Sequence, residues 1–137
     1  MYEGKLSDCG TVRVIMAGET TGEEFWLDLP CQWKAEGLAV VDVSGVFVRD
    51  GEDVKWHRPS AGLTWGVTHL ASGRNIGPRH RTADKALAVA LGLTQLGVDW
   101  TQNMDSVKTQ VEANATAAGF IVALHHGRVV MAETARA

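Results

Sequence analysis

The residues with the most chemical potential in this chain run from Arg74 to Thr82, Arg-Asn-Ile-Gly-Pro-Arg-His-Arg-Thr, directly before a helix-forming stretch. A helix start offers unpaired N–H groups and partial positive charge, and arginines beside it add forked donors. That combination suits a phosphate. Arg58, Arg74, Arg79, Arg81, Thr82 and Lys85 form a candidate anion or nucleic-acid site, with Trp56, His57 and Trp65 supplying interleaved aromatic groups. The alternative is that the arginines pair with acidic residues elsewhere in the chain while the tryptophans fill the core. Even six phosphate contacts would give a salt slope of only about −5, a modest electrostatic footprint.

Soft metal ligands are present as Cys9, Cys31, His57, His69, His80, His125 and His126. No pair has C-x2-C or H-x3-H spacing, and adjacent His125 and His126 would point to opposite faces of a strand. No cofactor or metal is expected. The chain also lacks a G-x-S-x-G elbow, a P-loop, a strand–G-x-G-x-x-G–helix fingerprint and H-E-x-x-H. Cys31 with a distant histidine is the one nucleophile–base pair to consider, and nothing local supports it. A non-enzyme is therefore expected, with a small hydrolase or metal enzyme the third reading. The acids Glu23, Glu24, Asp50, Glu52 and Asp53 are candidates for a face that docks on a basic protein surface, against the simpler reading of a solvated sheet edge and its loops.

Several elements must position these groups. Thr11–Met16 alternates with apolar even positions, and Glu23–Leu29 resumes a strand that Pro30 should end. Leu38–Asp50 is rich in valine, with Ser44-Gly45 marking a bulge or tight bend. Asp50-Gly51 turns into the short run 54–57, and Leu63, Trp65, Val67 and His69 share one face of a further strand. The period changes at Thr82. Ala83, Ala86, Val89, Ala90, Leu93 and Leu96 predict a buried helix over 83–96, with Thr82 as N-cap and Gly97 beyond its end. Asp105 starts a second predicted helix over about 105–118. Residues 120–132 read as a hairpin around His126-Gly127, with continuation of the helix as the competitor. Strands, then helices, then strands exclude a doubly wound parallel sheet. They predict an α+β fold, a mainly antiparallel sheet packed against two helices, forming a single domain over 1–137.

The chain has 137 residues, 45% apolar and 21% charged, which excludes a disordered polymer and suffices for a core without staples. Its net charge of −3 hides a division. Residues 1–53 hold four Lys/Arg against eleven acids, a net −7, and the remainder nine against five, a net +4. Residues 55–85 alone hold six cations and one acid. Such asymmetry points to a polyanionic partner or to two halves that neutralise each other. The N-terminal residues are polar and no run reaches the ~18 apolar residues of a span, so a cytoplasmic protein with reduced cysteines and no membrane contact is expected.

Trp65-Gly-Val-Thr-His-Leu-Ala-Ser-Gly-Arg-Asn-Ile-Gly77, followed by Arg81-Thr-Ala-Asp-Lys-Ala-Leu-Ala88, resembles a β-β-α unit of small orphan accessory proteins of actinobacterial phages, over residues 63–92. The resemblance implies a protein that binds and redirects a host component or counters a host defence, and it carries no catalytic residue over. The same stretch is similar to the end of a double-stranded-RNA-binding domain, although only Lys85 lies in the helix and no helix precedes the strands. The expected function is thus non-catalytic binding of a host macromolecule, a protein first. A nucleic-acid module using residues 55–85 is the alternative, and either is compatible with a homo-oligomer.

Overall fold

Val12 and Val14 are buried while Thr11 and Arg13 are exposed, so the two-residue period of the first strand does set its inner face. The structure, a computed structural model, describes residues 5–17, 24–43, 46–50, 53–57 and 62–126. Its strands are β1 (Thr11–Ala17), β2 (Glu24–Ala35), β3 (Leu38–Asp42), β4 (Val46–Asp50), β5 (Asp53–His57), β6 (Trp65–His69) and β7 (Arg74–Asn75), followed by the helices α1 (Ala83–Thr94), α2 (Met104–Glu112) and α3 (Ala115–His125). The fold is α+β. Five antiparallel strands lie in the order β1-β2-β3-β6-β7, and β4 with β5 forms a separate two-stranded ribbon. Among the described residues no helix is long and apolar enough to cross a membrane.

The five-stranded sheet curls until its ends meet. Ile15 N–H on β1 donates to the carbonyl of Gly73, in the turn before β7, at 2.8 Å. Gly73 has φ 72°, and a Cβ there would lie 2.4 Å from the Trp26 ring, so the turn and the close approach both require glycine. One apolar cluster fills the concave side, built on Val12, Val14, Leu29, Cys31, Ala39, Val41 and Val43. The other side carries Trp33, Leu38, Val40 and Val67 against Ala86, Leu87, Val89, Ala90 and Leu93 of α1. Leu38 to Val41 are all fully buried, because β3 is covered on both faces. Its unbroken apolar run has that cause.

Pro30 does not end its strand. It is exposed and lies opposite Thr11, and the β2–β3 ladder begins only at Cys31, so that ladder asks no hydrogen bond of the missing N–H. A register shift between Cys31 and Trp33 then turns Trp33 to the helix-covered face, whereas Leu29 and Cys31 face the concave cluster. The valine-rich run 38–50 is two strands in two sheets, with Ser44 and Gly45 outside the described residues. Asp50 opposite Asp53 agrees with the expected hairpin at Asp50-Gly51.

Thr82 caps α1 as expected, its Oγ1 accepting from Lys85 N–H at 3.1 Å. The second predicted helix is present but divided. Asn103, not Asp105, caps α2, and Asn114 interrupts the run and caps α3, its Oδ1 accepting from Ala117 N–H at 3.1 Å. Its Nδ2 donates to the Leu96 carbonyl at 2.7 Å, tying the break to the end of α1. Residues 120–125 are helical rather than the first arm of a hairpin, because Ala117, Phe120, Ile121 and Leu124 share the face that packs on the core. Residues 127–132 of that expected hairpin lie outside the described residues.

Candidate functional site

The basic segment splits into groups with different duties. Arg74 makes a forked pair with Glu24, Nη1 to Oε2 at 2.8 Å and Nη2 to Oε1 at 3.3 Å. That hydrogen bonding, and then the charge of the guanidinium, holds the Glu24 carboxyl below its ordinary value. Arg79 is half-buried and engaged within the fold. His80 joins the sheet through its backbone, donating to Trp65 C=O at 2.6 Å and accepting from Trp65 N–H at 3.0 Å. Thr82 is occupied as a cap, while Arg81 and Lys85 are exposed at the start of α1. Arg58 lies outside the described residues. The segment is therefore first a return path of the sheet, along which Arg74 pairs with Glu24 rather than standing free.

Of the acidic candidates, only the side chain of Glu24 is described. Glu24 is held by Arg74, Asp50 and Asp53 are opposed across the β4–β5 ribbon, and Glu23 and Glu52 lie outside the described residues. Arg13 and Asp28, both exposed, approach to 3.8 Å within the acid-rich half.

His69 of the Thr-His-x-x-Ser-Gly motif is fully buried. Its Nε2–H donates to the Gln102 carbonyl at 2.8 Å and its Nδ1 is bonded to Ser72 Oγ at 2.7 Å. Ser72 Oγ also accepts from Arg74 N–H at 3.2 Å. The motif is thus a latch that fixes the turn before β7 and pins the loop 97–103 over the sheet. That loop is braced by Asp99, whose carboxylate accepts from Thr101 N–H and from Gln102 Nε2, each at 3.1 Å, and by Trp100 Nε1 donating to Leu93 C=O at 2.9 Å. Among the described residues no three His, Cys, Asp or Glu side chains could hold a metal together. His125 and His126 close α3 rather than alternate along a strand.

Sequence reasoning missed a cleft that the loop and helices make. It encloses about 270 Å³ between Asn75–Gly77, Trp100, α2 and α3. Ile76, Trp100, Met104, Val107, Val111 and Ile121 give it apolar walls, and Lys108, Glu112, Asn75 and His125 provide its polar groups. Beside it runs α3, which has no acidic, lysine or arginine residue and leaves Val122 51% exposed. A helix apolar on every side is normally covered on every side. The uncharged run from Ala113 to Val122 was the available signal, and the hairpin reading of its second half concealed it.

Compared with protein-family models, with curated proteins and with solved structures, the chain matches none.

Proposed function

We propose that this chain is a non-catalytic binding protein that seats an apolar side chain of a protein partner in the α2–α3 cleft. The observation that carries this reading is the cleft itself, about 270 Å³ and apolar-walled, flanked by an uncharged helix with exposed Val122. That volume is slightly below the ~300–1,000 Å³ of sites that enclose small-molecule ligands. It suits the anchor pocket of a protein interface, where one buried side chain contributes much of the affinity. Lys108, Glu112 and His125 would form the polar rim that such a pocket needs. The resemblance to phage accessory proteins implies that the partner belongs to a host cell and is redirected by stoichiometric contact.

The test is a photo-crosslinking amino acid placed at Val122, with Lys34 as the control position, in an actinobacterial lysate with and without nuclease. The expected result is one crosslinked protein from position 122, unaffected by nuclease and lowered more than about tenfold by Val111→Trp, which fills the cleft. Equal capture from position 34, or capture that disappears with nuclease, rejects the reading. The second outcome would favour nucleic acid on Arg81 and Lys85.

A further inference from the structure

The sulfurs of Cys9 and Cys31 face each other on the concave side of the sheet, 2.6 Å apart, both as free thiols. Nonbonded heavy atoms are most stable at about 3.5–4.0 Å, so this is an unusually close approach. Backbone hydrogen bonds hold the two residues as neighbours. Cys9 N–H donates to Cys31 C=O at 3.0 Å, and Cys31 N–H donates to Gly10 C=O at 2.9 Å. Ser7 N–H continues the ladder to Gln32 C=O at 2.7 Å, so residues 7–10 run along β2. Residues 9 and 10 thus both lie against Cys31, as at a β-bulge, which brings the Cys9 sulfur over that of Cys31. Cys31 Sγ, fully buried, also donates to Trp33 C=O at 3.1 Å.

We propose that Cys9 and Cys31 are a redox-modification site, a dithiol that closes to an intramolecular disulfide under a low-molecular-weight disulfide and reopens under thiol reductant. Cys9, half-buried, is the entry point. Its thiolate attacks one sulfur of the small disulfide and expels the other as a thiolate, leaving a mixed disulfide on Cys9. The Cys31 thiolate then attacks Cys9 Sγ and expels the second small thiolate. The two cysteine protons end on the two released thiols, so the protein loses two electrons and two protons and the small disulfide gains them. Burial, and then the hydrogen bond with Cys9, pushes the Cys31 thiol up to about 12, which makes it a poor first nucleophile; its own attack relies on the mixed disulfide being held against it on Cys9.

The bond would tie the segment before β1 to the middle of β2. The experiment treats the full chain with oxidised glutathione, quenches in acid, and alkylates in denaturant before intact-mass analysis. The expected product is the unalkylated monomer lighter by two hydrogens, returned to two alkylated thiols by dithiothreitol. Its Tm should stand about 5–10 °C above that of the reduced chain. Cys31→Ser should accumulate one glutathione adduct on Cys9, and Cys9→Ser should remain reduced while folded. Two alkylatable thiols after oxidation, a stable adduct on the wild-type chain, or disulfide-linked dimers would each overturn the proposal.

Discussion

His69 would be easy to mistake for a catalytic group, being a buried histidine in a Thr-His-x-x-Ser-Gly run beside arginines. Both its ring nitrogens are occupied, by Gln102 and Ser72, and its side chain is shut from solvent. His69→Ala removes both hydrogen bonds and leaves a cavity, so the chain should lose about 2–4 kcal/mol in urea denaturation. His80 makes a different prediction. Burial, and then the positive charge of Lys85, lowers its imidazole below 6.5. The unfolded chain therefore takes up that proton first as the solution is acidified. Stability present at neutral pH is lost as pH falls from about 6.5 towards the depressed folded value. Tm should decline between about pH 7 and pH 5, and His80→Gln should decline less over the same span. At this scale the sequence shows which residues can do chemistry, but not that Arg74 turns to Glu24 or His69 to Gln102. Those partners come from distant parts of the chain.

Among the elements, α1 was readable because its cap at Thr82 and its apolar stripe are both local. The boundary between α2 and α3 was not. Asn114 sits in a run of good helix formers, and its effect depends on Leu96 C=O, which the fold brings to its amide. Phe120-Ile-Val122 has strand-forming composition, yet Phe120 lies over Gly92 of α1, where a Cβ would approach its ring to 2.9 Å. Tertiary packing outweighs β-propensity there. Asn114→Ala should cost about 1–2 kcal/mol, read by thermal melts followed by circular dichroism, because both the α3 cap and the Leu96 bond are lost. Asn114→Asp keeps the cap and should recover part of that loss. The strands behave alike: alternation identified β1, whereas the face of Trp33 depends on a register shift that no local pattern announces.

For the whole molecule, the charge division between the two halves of the chain is partly internal. Glu24 belongs to the acidic half and Arg74 to the basic half, and they meet where the curled sheet closes. Both are about half exposed, so the pair is screened by water and salt. Arg74→Ala should leave Tm within the scatter of a melt, and it should not change retention on a duplex-DNA column. The α+β class and the antiparallel sheet were legible from the order of periodicities. The curl was not, since the backbone bond described at its seam joins Ile15 to Gly73, far apart in the chain. That contact also orders events in time. Hairpins such as β2–β3 close short loops, whereas joining residue 15 to residue 73 requires the intervening strands to be already in place. The seam should form late and open early. In hydrogen–deuterium exchange the Ile15 amide should therefore exchange well before those of Val40 and Val67, through an opening that leaves the helix-covered face intact.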